Sequence, residues 1–496
     1  MPVPSFLHAT VIAAMIVSFV AGCAPSHRSG LPPGSPFSEA MLPVASLLPQ
    51  GVAVGDVDPY SSLVWLRTQE PAQVQIEYAP VTEWGTAGAG SDRLPVLAKT
   101  PLFRTGTDHD LTLTASLDRL KPATRYRYQV LVARESASAG LATEVTVAAR
   151  GEFTTAPEPT VHAPVTFAWS GDLGGQHRCR DEHDGYPIFD QIRNRNIDFF
   201  VFLGDTIYGD DVCPSPPNAP GGDFTASTLD RYRAKHRYQR GAAALQRLLA
   251  TVPVSVIWDD HEVRNNFAGP FDPQMPLGRQ ALLDYWPIRT PADDPHRLYR
   301  RVRYGMDVEL FILDTRQYRS RNADLDGPGK TMLGEAQRTW LIDGLRQSTA
   351  TWKVIATSVP LSIPKGGSEA VPGNDGWAGG PDGTGFETEL RTIVDAIVSQ
   401  PIKNVVWIAT DVHFAQANAY DPNRDGVADF HEFVAGPLSA GVGRMTPARE
   451  TWKPTTLFHD GGYFNFGTLM VQGSTLEVTI VDDSGKVRFT HRLAAR

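Results

Sequence analysis

Three cysteines in 496 residues exclude a disulfide-built scaffold and a thiolate-rich zinc protein. Basic side chains are also scarce: 46 Lys plus Arg stand against 55 Asp plus Glu, a formal net charge of −9. Neutralising a phosphate backbone needs the opposite balance, so specific nucleic-acid binding is not expected. Long apolar runs are missing after the first two dozen residues, and no later stretch reaches the ~20 residues that cross a bilayer. What is present is ordinary: 42% apolar and 20% charged residues exclude a disordered or fibrous chain, and the length suits two or three domains.

The run from Val11 to Val20 is apolar apart from Ser18. It is long enough for the core of a signal peptide and too short to span a membrane. Val20-Ala21-Gly22-Cys23 then resembles the lipobox of bacterial lipoproteins, although Met1 to His8 contains no Lys or Arg. The expectation is a signal peptide over 1–22, a lipid on Cys23 and a flexible tether over 23–44. That would make the chain an exported lipoprotein anchored in the cell envelope, at the outer membrane or facing the periplasm.

From about Leu48 to Thr155 apolar and polar residues alternate, as in Val74-Gln75-Ile76-Glu77-Tyr78. This is the pattern of half-buried strands, and it predicts a small all-β sandwich over 45–157. Leu117-x-x-Leu120-x-Pro122-x-Thr124-x-Tyr126-x-Tyr128 resembles a strand region of fibronectin type III or immunoglobulin-like modules. After Pro164 continuous apolar runs alternate with helix-period segments, predicting an α/β layered domain over 161–496. The strand candidates are Val165–Trp169, Ile197–Leu203, Val252–Trp258, Val308–Leu313, Trp352–Ala356 and Asn404–Ala409. Helices are expected over Ile188–Arg193, Leu229–Leu249, Glu335–Leu345 and Glu387–Val398.

Five of the six apolar runs end in acids or imidazoles: Asp172, Asp205, Asp259-Asp260-His261-Glu262, Asp314 and Asp411-Val412-His413. The C-terminal edge of such a sheet is where α/β folds bind ligands. One Asp there is an ordinary helix cap, but five together would be repulsive unless cations sat among them. Oxygen and imidazole donors suit Fe, Mn, Ca, Mg or Zn.

Gly204-Asp205-x-x-Tyr208, Trp258-Asp259-Asp260-His261-Glu262, Leu313-Asp314-Thr315-Arg316 and Asp411-Val412-His413 resemble the PhoD-like branch of the calcineurin-like metallophosphoesterases. The resemblance implies an alkaline phosphatase or phosphodiesterase with layered sheets and a two-metal centre, Fe(III) plus Ca, Zn or Mn. It implies Asp205 as the bridge, Asp172, Tyr208 and His413 on the first metal, and Asp411 with Asp260 or Asn265 on the second. Many PhoD-like proteins carry a Cys ligand where this chain has Ser170-Gly171-Asp172. The resemblance also implies His261 as leaving-group acid or transition-state donor, while Arg316, following the fourth run, could grip a phosphate bidentately, against a merely solvated arginine. Asp411 and His413, two apart, are expected on one face of a continuing strand. The substrates expected are small phosphate esters, phospholipid or nucleotide among them, hydrolysed by a monomer that scavenges phosphate. A phospholipase D-type phosphodiesterase and a non-catalytic surface adhesion lipoprotein are the alternatives.

With Cys23 lipidated, Cys179 and Cys213 form an even pair in an oxidising compartment. They lie in loops after successive strands, so a disulfide is expected, against two separate buried thiols. Asp421, Asn423, Asp425, Gly426, Asp429 and Glu432 fit the spacing of a calcium loop, giving an additional structural Ca site, against a plain polar turn.

Overall fold

A computed structural model of the chain describes residues 44–86, 98–134, 144–367, 371–400 and 402–496. The expected signal peptide, nearly all of the tether and Cys23 lie outside the described residues. None of the described helices is long and apolar enough to cross a membrane.

The N-terminal part contains β1 (Val52–Gly55), β2 (Ser62–Arg67), β3 (Ala72–Pro80), β4 (Ala98–Lys99) and β5 (Phe103–Arg104). It continues with β6 (Thr112–Leu117), β7 (Arg125–Arg134) and β8 (Val145–Thr154). Next come β9 (Val165–Ser170), β10 (Phe199–Leu203), β11 (Val254–Ile257), β12 (Arg300–Tyr304) and β13 (Val308–Ile312). Then follow β14 (Trp352–Ala356), β15 (Val405–Ala409), β16 (Ala415–Tyr420) and β17 (Phe430–Val434). The last four are β18 (Thr455–Asp460), β19 (Asn465–Gln472), β20 (Thr475–Asp482) and β21 (Val487–Ala494). The helices are α1 (Ile188–Arg193), α2 (Leu229–Arg240), α3 (Ala243–Leu249), α4 (Met275–Tyr285), α5 (Gly334–Gln347) and α6 (Glu387–Ser399).

All six apolar runs are strands. The segment expected as one helix over 229–249 is two, because α2 stops at Gly241 and the chain restarts at the extended Ala242. Glycine lacks the side-chain contacts that favour continuation, and the break lets α3 turn back onto the sheet.

Two large sheets face each other. One has nine strands in the order β21-β20-β19-β9-β10-β11-β1-β2-β6, and the other seven, β12-β13-β14-β15-β17-β16-β18. Alternation along the central strands explains the layering. Val308, Leu310 and Ile312 enter the core between the sheets, while Phe311 and Leu313 pack outward with Leu341 and Leu345 of α5 and Leu390 and Ile393 of α6. Each strand is therefore buried on both faces, which is why it reads as a continuous apolar run.

The N-terminal strands divide between two sheets. β3, β7 and β8, with β4 and β5, form a five-stranded sheet that packs on β1, β2 and β6 around Val54, Leu66, Ile76, Tyr128 and Val130. β1 also lies parallel to β11, Gly55 opposite Val254, so this sandwich shares its second sheet with the α/β part. The boundary near 157–161 thus divides the chain but not the sheet. At the junction Arg240 lies over Trp65, 3.7 Å from the ring centre, and 5.0 Å from the ring centre of Trp286. His236, one turn earlier, stacks on Tyr285 in full burial.

Candidate metal centre

β9, β10, β11 and β15 all end on the same rim, and their following turns carry the acids. Asp172, Asp205, Asp411 and His413 all adopt left-handed backbone conformations, with φ of 62°, 51°, 77° and 60°. That region is unfavourable for residues with a Cβ, and its recurrence at four positions marks a rim shaped for side-chain placement. β15 ends at Ala409, so Asp411 and His413 sit on a turn rather than a continuing strand. Their side chains go to different groups as a result.

Three groups of side chains have ligand atoms within 4.8 Å of one another: Asp172, Asp205 and His413; Asp205, Asp260 and His261; Asp259, Asp260 and Asp411. Asp205 belongs to two of them, the position of a bridge, and Asp260 to two. Tyr208 joins the first group, its hydroxyl 3.1 Å from His413 Nε2, and its ring stacks on His261 with 4.1 Å between centres. Asn265 contributes differently: its backbone N–H donates to Asp210. Asp260 lies within the acidic groups, and Asn265 follows it by five residues on the same turn, so both remain candidates for the second metal.

The buried carboxylates suit cations. Asp172 Oδ1, Asp259 Oδ2, Asp260 Oδ1 and Asp411 Oδ2 are buried oxygens without a hydrogen-bond donor, an expensive arrangement for charged groups. Burial, with Asp260, Asp259, Glu262 and Asp172 nearby, pushes Asp205 well above the usual carboxylate range. Burial also drives Asp411 up, against the pull of Lys365, whose Nζ contacts Asp411 Oδ1. For Asp260 burial is outweighed, and Arg316, His261 and Lys365 hold it below the ordinary value. The donors are oxygen and imidazole nitrogen, so the residues fit hard or borderline cations.

A second set of residues holds these in place. Glu262, fully buried, accepts from the backbone N–H groups of Asp205, Thr206 and Asp259 and from the Thr206 hydroxyl. One carboxylate thereby ties the turn after β10 to the turn after β11. Asp210 accepts from His261 Nδ1 at 2.6 Å, which fixes the ring. Burial lowers the His261 pKa, yet Asp260 and Asp210 raise it to about 9. Gly436 approaches so closely that a Cβ there would lie 2.6 Å from Asp172 Oδ2.

Two expectations are corrected. Arg316 is no phosphate clamp: it is fully buried, its Nε donates to Asp259 at 2.6 Å, and its Nη1 and Nη2 donate to Asp375 at 2.7 and 2.8 Å. Its whole fork is committed to carboxylates. Glu432 is no calcium ligand: it is buried in β17 and accepts from Leu361 N–H, Asn418 Nδ2 and Tyr420 Oη. Asp421, Asn423 and Asp425 accept from the backbone of their own turn, at Asp425, Gly426 and Val427, and Asn423 Nδ2 donates to Asp429. The segment is a hydrogen-bonded polar turn without its twelfth ligand.

Cys179 and Cys213 are joined in a disulfide, their Cα atoms 5.8 Å apart, linking the loops that follow β9 and β10. Asp314 lies outside the acidic groups and instead accepts from Trp258 Nε1 and from the N–H groups of Arg316 and Gln317. Asp259, Glu262 and Asp210 carried a signal, being within or beside the motifs. Lys365 and Asp375 carried none, since they come from an irregular Gly- and Pro-rich stretch.

The PhoD-like phosphatase family model matches residues 167–479. Alkaline phosphatase D of Bacillus subtilis (strain 168) is 28% identical over 405 residues, covering 74% of this chain and 64% of that protein. The chain thus spans less than two thirds of the length of this curated relative. Among solved structures, one described as PhoD superposes with a TM-score of 0.70 at 23% identity, covering 90% of this chain and 89% of that one. A purple acid phosphatase from yellow lupin seeds gives 0.59 at 15% identity, covering 90% and 75%. Both likenesses show a common fold.

Proposed function

This chain belongs to the PhoD-like phosphatase family, and we propose that it is a metal-dependent hydrolase of phosphate mono- or diesters. The observation that carries the proposal is the sharing of Asp205 and Asp260 among three buried groups whose ligand atoms lie within 4.8 Å of one another. Asp172, Tyr208 and His413 would hold one cation and Asp260 and Asp411 another, with Asp205 between them. When bound, the cations supply a nucleophilic water at neutral pH and stabilise charge on the phosphoryl oxygens. Tyr208 and the imidazole suit a trivalent iron at the first position and a divalent ion at the second.

The chain's own residues supply positioning. Asp210 engages His261 Nδ1 and so leaves Nε2 as the donor to a leaving-group or phosphoryl oxygen. The Tyr208 ring, stacked on His261, prevents that donor from rotating away. Arg316 and Glu262 keep Asp259, Asp205 and the two turns in register before substrate arrives, so little reorganisation remains for the reaction. Export and anchoring through Cys23, with phosphate scavenging at the cell surface, complete the proposal. They rest on the N-terminal sequence, and a fatty-acyl mass on the N-terminal peptide of the envelope protein is the check.

The activity is tested by hydrolysis of p-nitrophenyl phosphate and bis-p-nitrophenyl phosphate by the purified chain, with elemental analysis. Turnover of either ester together with bound metal is expected. No turnover on both and no metal would overturn the proposal.

A further inference from the structure

A cavity of about 690 Å³ opens on the far side of edge strand β12, bounded by the loop after β1, residues 289–291 and α5. None of its lining residues belongs to the acidic groups. Five arginines reach it, in a chain of net negative charge. Two are committed: Arg300 is paired with Asp56 at 2.8 Å, and Arg303 donates to the carbonyls of Gly305 and Met306 and lies 3.4 Å from Glu309.

The other three are less fully engaged, and Arg297 least of all. Arg297 has no carboxylate within ion-pair distance among the described residues, and its buried Nε has no acceptor. Arg289 Nε is buried and equally without a partner; its Nη2 donates to Ser61 and is 4.0 Å from Asp58. Arg301 shares Glu309 with Arg303, in an ion pair of 3.7 Å, and its side chain is half exposed. Asp343, the acid contributed by α5, turns to Arg346 instead. Tyr299 and Trp340 line the same cavity, their ring centres 5.0 Å apart, and Arg297 lies over Tyr299.

Guanidinium groups with free donors around an aromatic wall match an organic phosphate or phosphonate. We propose that this cavity is a second anion site that takes a phosphoryl-bearing organic anion with a planar group. The phosphoryl oxygens would meet Arg289, Arg297 and Arg301, and the planar group would meet Tyr299 and Trp340. The volume accommodates a ligand of nucleotide size. The site stands independently of the metal centre.

The test is calorimetric titration of the metal-loaded full chain with phenylphosphonate, whose P–C bond is not a phosphate ester. Two equivalents are expected, one at the metal centre and one here. Arg297→Ala should weaken the second at least tenfold, and Arg289→Ala with Arg297→Ala should remove it, while ester hydrolysis is unchanged. Asp205→Asn should remove only the first, so the two proposals fail separately. Wild-type affinity and stoichiometry in the double arginine variant would overturn the site, as would a single equivalent that Asp205→Asn abolishes. Methylphosphonate should bind here about tenfold more weakly; equal affinity would overturn the assignment of a planar group.

Discussion

Asp205 is gripped at both ends, its N–H by Glu262 and its Oδ1 by the N–H of His261 at 3.0 Å. Asp205→Asn keeps that shape and removes the charge. It should abolish ester hydrolysis and release at least one metal equivalent, with circular dichroism unchanged and the metal-free protein melting no lower than wild type; full metal content with most activity retained would contradict this. Arg316 calls for a different variant. Arg316→Met leaves Asp259 buried and unpaired and Asp375 with Arg319 as its remaining cation, which should cost about 3–5 kcal/mol by denaturant titration. A phosphate clamp would instead raise KM at constant stability. The contrast shows what single residues disclose: Asp172, Asp205, Asp260, Asp411 and His413 were legible because each follows an apolar run. The partners of Arg316 were not, because Asp375 lies 59 residues away in a stretch without period.

Turns and loops decide what the strand ends can do. The disulfide closes a loop of 34 residues across the two turns nearest Asp172 and Asp205. Replacing both cysteines by alanine should lower stability by about 3–4 kcal/mol on the chain-entropy model, measured by denaturant unfolding under non-reducing conditions. A change below 1 kcal/mol would mean that the surrounding turns hold those loops unaided. Six central strands of the α/β part (β9 to β11 and β13 to β15) were legible by their continuous apolar runs, and α1, α5 and α6 by helical period; β12, β18 to β21 and α4, with exposed residues among their apolar ones, were not. The break at Gly241 was missed because α2 and α3 share one helical period across it. The calcium spacing misled for a related reason. A linear pattern counts positions, whereas β17 begins at Phe430 and turns Glu432 into the core with Tyr420 and Asn418.

At the scale of the whole molecule, the junction between the N-terminal strands and the α/β part buries a histidine that must remain neutral. Burial, with Arg240 and Arg237 nearby, lowers the His236 pKa from 6.5 to about 3. A depressed histidine pKa favours the fold above pH 6.5, and that contribution declines as pH falls towards 3. At pH 5 the loss is about 2 kcal/mol. His236→Phe should therefore narrow the stability difference between pH 8 and pH 5 by about that amount in urea titrations, and an unchanged difference would refute the assignment. The sandwich itself was legible from alternation in 45–157. Its fusion to the larger sheet was not, because the pairing of β1 with β11 joins residues about 200 apart, which no local side-chain pattern records.

That shared sheet also sets an order in time. Its middle strands, β9 to β11, are flanked on one side by β1, β2 and β6 and on the other by β19 to β21. A ribosome has therefore made the first residues of the sheet hundreds of residues before it makes the last. Until residue 465 emerges, β9 has a bare edge where β19 will lie. A growing chain of this topology cannot finish its fold piece by piece, and its contacts are dominated by distant partners, the arrangement associated with slow folding. Such a polypeptide stays threadable until β19 to β21 are made and becomes a closed object only once they arrive.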